Sequence, residues 1–114
     1  MNDNLKVLFQ IQEVLKNAGY HDVSRIAREV YEYDPKAIIR LTSGEPWEYI
    51  KGECEFRGSN FLVDPSTLIP RIETEKMVDI ALEYLTKNTY STVIDVGTGS
   101  GCILISLIKE LEDE

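Results

Sequence analysis

Apolar positions along the first forty or so residues recur at helical spacing. Over residues 4–18, Leu8, Ile11 and Leu15 share one face, with Val7 and Val14 beside it. That periodicity predicts an amphipathic helix, and Gly19 supplies its C-terminal stop. Asp22 then occupies an N-cap position, and Val23, Ile26, Ala27, Val30 and Tyr31 follow at i, i+3, i+4, i+7 and i+8, which predicts a second helix. Pro35 suits the first turn of a third short helix, capped by Asp34 and running to about Leu41. These pieces make one small helical unit with a modest core.

The period then changes to two. Thr42-Ser43-Gly44-Glu45-Pro46 reads as a turn, and Trp47, Tyr49 and Ile50 lead into extended chain. Cys54 and Phe56 alternate with Glu53, Glu55 and Arg57, and Phe61 and Val63 follow a Gly58-Ser59-Asn60 turn. That pattern predicts a β-hairpin, with Trp47 and Tyr49 packed beneath it. Pro65 and Pro70 bracket a loop before a helix over residues 73–87. Val78, Ala81, Leu82 and Leu85 form its buried stripe, and Glu73 and Glu75 suit its positive N-terminal end.

The last segment carries the strongest signal. Thr92-Val93-Ile94-Asp95-Val96 is a short β-branched strand suited to burial on both faces. Gly97-Thr98-Gly99-Ser100-Gly101 follows at once, and residues 102–111 are again helical through Ile103, Leu107 and Ile108. Strand, glycine turn and helix together open a Rossmann-like nucleotide site. Glycines let the backbone turn sharply and let a ligand approach without meeting a Cβ atom. The helix start offers N–H groups to a carboxylate, and Asp95 is placed to meet an ammonium group. S-adenosylmethionine carries both groups on its methionine part. The dinucleotide pattern Gly-x-Gly-x-x-Gly fails here, because Cys102 or Leu104 falls at the third glycine position. A nicotinamide-dependent oxidoreductase is therefore disfavoured.

Composition narrows the classes. The 114 residues are 43% hydrophobic and 28% charged, the balance of a folded globular protein. A net charge of −8 argues against broad contact with nucleic acid, whose phosphates need a basic face. No apolar run approaches the roughly 18 residues that span a bilayer, and the N-terminus lacks the pattern of a secretory signal. Cys54 and Cys102 have no metal-ligand spacing, and His21 is the single histidine, read as exposed. The expectation is a cytoplasmic protein with two reduced thiols, no metal and no membrane partner. Glu110, Glu112, Asp113 and Glu114 read as a solvated, fraying helix end.

Four blocks in order then carry a family resemblance. They are Gly44-Glu45-Pro46 with Tyr49-Ile50-x-Gly52, then Glu55-Phe56-x-Gly58 with Phe61-x-Val63. Leu68-Ile69-Pro70-Arg71-x-Glu73-Thr74-Glu75 and Asp95-Val96-Gly97-Thr98-Gly99-Ser100-Gly101-Cys102 complete the set. Together they resemble the glutamine methyltransferases of peptide-chain release factors, which are class I S-adenosylmethionine-dependent enzymes. The resemblance implies an α/β protein in three parts. Residues 1–43 would be a shortened helical substrate-recognition domain, 44–70 a β-hairpin linker, and 71–114 the start of the Rossmann-like methyltransferase domain. It implies that Asp95, Val96, Gly97, Thr98, Gly99 and Gly101 contact S-adenosylmethionine, with Arg71, Glu73 and Thr74 beside it. Ile72 stands where the family usually has proline.

The family's catalytic Asn-Pro-Pro-Tyr is absent from these residues, as is the second strand whose terminal acid would hold the ribose hydroxyls. The chain thus reads as the front part of an enzyme, which alone neither methylates nor binds cofactor tightly. The complete protein would be a monomer that methylates the glutamine of Gly-Gly-Gln in a release factor. A ribosomal-protein glutamine methyltransferase is the neighbouring reading. A short non-catalytic module that binds a partner is another, and it predicts that the apolar strand at Val93–Val96 is covered.

Overall fold

A computed structural model describes residues 3–89 and 92–112. The fold is mixed α/β, with helices and a two-stranded antiparallel sheet. The chain divides into two compact units, Met1–Lys51 and Gly52–Glu114.

The first unit holds α1 (Asp3–Asn17), α2 (Val23–Tyr33), α3 (Ala37–Thr42) and α4 (Trp47–Lys51). Ile11, Leu15, Ala27, Val30, Leu41, Trp47 and Ile50 form its core, with Val7, Val14, Val23, Ile26 and Tyr31 packed against it; Leu8, expected in the first stripe, is half-buried outside that core. The helix starts differ in detail from expectation. The Asp22 side chain makes no cap hydrogen bond; its carboxylate accepts from Arg25 Nε at 2.7 Å instead. Asp34 accepts the Lys36 N–H on its side chain at 3.0 Å and the Ala37 N–H on its carbonyl at 2.9 Å. That closes a turn around Pro35, and α3 begins only at Ala37.

The larger correction is at Trp47, Tyr49 and Ile50, expected to lead into extended chain and found within the helix α4. Pro46 presets the helical entry, and its carbonyl accepts the N–H groups of Tyr49 at 3.1 Å and Ile50 at 3.2 Å. Trp47 and Ile50, three apart, both face the helical core, a spacing that an alternating strand cannot bury. Trp47, expected to pack against the hairpin, belongs to the core of the helical unit. Its backbone N–H donates to the Tyr20 hydroxyl at 3.0 Å, and that hydroxyl donates to Glu48 at 3.1 Å. The Tyr33 ring meets the Trp47 ring edge-on, centroids 5.5 Å apart.

The second unit holds β1 (Glu53–Phe56), β2 (Ser59–Leu62), α5 (Thr74–Lys87) and α6 (Cys102–Glu112). The register pairs Phe56 with Ser59 and Cys54 with Phe61. The turn is thus Arg57-Gly58, and Ser59 and Asn60, expected within it, lie in β2. Both turn residues have positive φ, 48° for Arg57 and 77° for Gly58, the type I′ form that suits the strand twist. Phe56 and Phe61 meet edge to face at 6.2 Å. With Val78, Cys102 and Leu107 they form the second core, and Ala81, Leu82 and Leu85 pack against it.

Residues 92–96, expected as a buried strand, have no strand pairing. Ile94 is 79% and Val96 91% exposed. A parallel strand is held by ladder bonds to neighbours. The described sheet offers none, so β-branched composition alone leaves the segment irregular.

Candidate functional site

The glycine turn forms as a tight, left-handed entry to α6. Gly97, Gly99 and Gly101 have φ of 71°, 59° and 85°. The Gly101 N–H donates to the Thr98 carbonyl at 3.0 Å, and the Gly101 carbonyl accepts the Ile105 N–H at 2.9 Å to begin the helix. The Thr98 hydroxyl donates to Asp95 Oδ2 at 3.0 Å, which draws the acid back over the turn. A Cβ atom built on Gly97 would meet nothing within 4 Å, whereas one on Gly101 would come within 3.0 Å of Ile105 Cδ1. Backbone conformation, rather than crowding, is what demands glycine at position 97.

These residues offer chemistry for a zwitterionic ligand. The first-turn N–H groups of α6 have no acceptor within their own helix and carry partial positive charge. Asp95 supplies the opposite sign, its carboxylate held beside Thr98 of the same turn. Ser100 Oγ is buried without a hydrogen-bond partner among the described residues, an orphaned polar atom within the turn. Backbone donors and a carboxylate are the groups that the two charges of an amino-acid ligand require. Val96, 91% exposed, adds a bare apolar surface beside them.

Arg71, Glu73 and Thr74 lie at the start of α5. The Thr74 N–H donates to the Arg71 carbonyl at 3.0 Å and the Lys76 N–H to the Glu73 carbonyl at 3.3 Å. Glu73 makes no side-chain cap bond. Arg71, Ile72 and Glu73 are all exposed. Among the described residues, no ion pair joins Arg71 to Glu73, and no hydrogen bond links this stretch to Asp95–Gly101.

Reading the pattern alone missed Arg57, which it treated as one polar position in an alternating strand. The Arg57 N–H donates to Glu75 Oε1 at 2.7 Å. Its guanidinium donates to the Glu75 carbonyl at 2.9 Å and to Asp79 Oδ1 at 2.7 Å. It also makes a two-pronged contact with Glu110, at 2.9 and 2.6 Å. The side chain is only 16% exposed, and its hydrogen bonds, first to Glu110 and then to Asp79, hold its pKa above the usual arginine value despite opposing burial. Glu110, expected as part of a solvated helix end, is thereby tied down; Asp113 and Glu114 lie outside the described residues. The signal in the sequence was an arginine immediately before a hairpin glycine, with acids at Glu75 and Asp79 one helical turn apart.

The remaining candidates are plain. Cys102 is buried and Cys54 half-buried, and neither is in a disulfide. His21 is exposed. Among the described residues no three acids, cysteines or histidines converge on a metal site, and no helix is long and apolar enough to cross a membrane. A shallow groove of about 300 Å³ in the first unit is lined by Leu5, Leu8, Phe9, Gln12 and Arg28.

Comparison with known proteins points one way. No family model matches the chain. A release factor glutamine methyltransferase of Koribacter versatilis is 47% identical over 91 residues, covering 80% of this chain and 32% of that protein. The protein of the same name from Nitratidesulfovibrio vulgaris is 50% identical over 76 residues, covering 67% of this chain and 25% of its own length. That of Clostridium acetobutylicum is 47% identical over 100 residues, covering 88% of this chain and 34% of its own. The chain spans about a third or less of the curated relatives it matches.

Proposed function

On the premise that the chain resembles the N-terminal part of release factor glutamine methyltransferases, we propose that it carries the first half of an S-adenosylmethionine site. In the complete enzyme that site would serve methyl transfer to the side-chain amide of the Gly-Gly-Gln glutamine of a release factor. The observation that carries the reading is sequence identity near one half across most of the chain. The left-handed glycine turn behind Asp95 supports it from the structural side. The cofactor supplies an electrophilic methyl group on sulfur.

The roles of this chain's residues follow from their chemistry. Asp95 would hold the ammonium group, and the N–H groups at the start of α6 the carboxylate. Gly97, Thr98 and Gly99 would form the bare backbone wall between them, with Val96 as the apolar flank. Arg71, Glu73 and Thr74 would border the pocket from the start of α5, and the helices of residues 1–43 would meet the protein substrate. An amide nitrogen is a weak nucleophile, so catalysis depends on orienting it against the methyl group. Asn-Pro-Pro-Tyr, the motif read as doing so in this family, is not among the 114 residues. We therefore expect the chain alone to bind the cofactor weakly and to transfer no methyl group. The working compartment on this reading is the cytoplasm, where release factors act.

A chimera tests the proposal. These residues replace the matching part of a release factor glutamine methyltransferase, and the product is incubated with release factor, ribosomal proteins and S-adenosylmethionine. The reading expects mass spectrometry to find one added methyl group on the Gly-Gly-Gln glutamine. Methylation of a ribosomal-protein glutamine instead would select the neighbouring activity. A folded chimera that methylates neither would overturn both.

A further inference from the structure

We propose that Arg57 is a positioning residue for the glycine turn, acting through α6. The inference rests on the cofactor reading for its functional meaning, but its structural part stands on the contacts alone.

Arg57 sits in the left-handed region, with φ of 48°, a conformation that a side chain with a Cβ adopts only when its surroundings hold it there. What holds it is visible. Its own N–H is fixed by the Glu75 carboxylate, and its guanidinium reaches the Glu75 carbonyl, Asp79 and Glu110 at once. One residue at the hairpin tip thus ties the first two turns of α5 to the last turn of α6, across 53 positions of sequence in the case of Glu110. Lys109 adds a second link on the same side, its Nζ donating to Ser59 Oγ at 2.8 Å.

The consequence runs along α6. An eleven-residue helix moves as a rigid rod, so clamping Glu110 and Lys109 to the hairpin sets the direction of its other end. That other end is Gly101, with the turn that carries Asp95 behind it. The clamp also needs arginine. Its planar fork satisfies two oxygens of Glu110 while still reaching Asp79, whereas lysine offers a single point of charge. Among the described residues no strand pairs with 92–96, and the backbone hydrogen bonds of Gly101 join the turn directly to the start of α6.

The test compares the full chain as wild type, R57K and R57Q by amide NMR. Without ligand, the amide signals of Gly97, Gly99 and Gly101 are expected to move in R57Q and to move less in R57K, with α6 still helical. Glycine signals that stay in place in a folded R57Q would overturn the proposal. So would equal displacement in R57K and R57Q, because a merely space-filling role does not distinguish them by their donors. Should R57Q fail to fold, R57K decides alone, and unmoved glycine signals there count against the proposal. A second arm adds S-adenosylmethionine, where the dissociation constant is expected to rise about threefold in R57K and about tenfold in R57Q. If the wild-type signals ignore S-adenosylmethionine, the cofactor reading falls while the ligand-free arm still decides the role of Arg57.

Discussion

Replacing Gly97 and Gly101 by alanine separates two costs that the turn combines. Both positions have positive φ, 71° and 85°, where an L-residue loses about 1–2 kcal/mol relative to its usual conformations. Alanine also has less freedom in the unfolded chain, which offsets about half a kcal/mol or more only where the native backbone suits it. At Gly97 nothing lies within 4 Å of the new Cβ, so the conformational cost stands alone, at about 1 kcal/mol. At Gly101 the Cβ would sit 3.0 Å from Ile105 Cδ1. Ile105 is 41% exposed and can swing aside at the expense of an off-rotamer side chain, about another 1 kcal/mol. Gly97→Ala should therefore destabilise by about 1 kcal/mol and Gly101→Ala by about 2. Native-state hydrogen exchange at the Leu107 amide reads both. About 1.4 kcal/mol corresponds to tenfold in a binding constant, so Gly97→Ala should also weaken S-adenosylmethionine by about fivefold if the ligand needs the left-handed turn. Gly97→Ala as stable as wild type, or more damaging than Gly101→Ala, would refute the reasoning.

Further outcomes follow from the first unit. Leu15 is fully buried, and Leu15→Ala should cost about 3 kcal/mol; the chain's single tryptophan, Trp47, reports this through urea unfolding followed by its fluorescence. Tyr20→Phe leaves the Trp47 backbone N–H without its acceptor and should cost about 1–2 kcal/mol in the same assay. Burial holds the Tyr20 pKa above 10.0, opposed by its bond from the Trp47 N–H and assisted by Glu48. The folded state therefore keeps a proton that the unfolded chain releases. Its contribution is complete below pH 10 and is lost as pH rises through the higher folded value. Ultraviolet titration should show Tyr20 ionising later than an exposed tyrosine, and the late component should vanish in Tyr20→Phe.

Much of this architecture was legible where a local period coincided with burial. The stripes Ile11–Leu15, Ala27–Val30 and Val78–Leu85 were read correctly because each helix buries one face, and periodicity records that face directly. The hairpin was visible from Cys54, Phe56 and Phe61, but its turn was placed one residue late, since Gly58 serves as well at the first position of a turn as at the second. Trp47 and Ile50 misled because a five-residue helix holds too few positions to show its period. Residues 92–96 misled for the opposite reason, since strand composition is local whereas a strand exists only with neighbours. The candidate site was legible as a motif because Asp95 and the glycines are contiguous. Arg57 was not, because its partners at Glu75, Asp79 and Glu110 are remote in sequence and only the folded chain gathers them.

The central claim is that Asp95–Gly101 forms one half of an S-adenosylmethionine site, and titration followed by amide NMR tests it most directly. Adding S-adenosylmethionine to the wild-type chain should move the signals of Asp95, Gly97, Thr98, Gly99 and Gly101 together, with a nicotinamide dinucleotide producing the smaller response. Unchanged signals at millimolar ligand, a response centred on the Leu5–Phe9 groove, or stronger displacement by the dinucleotide would contradict the account.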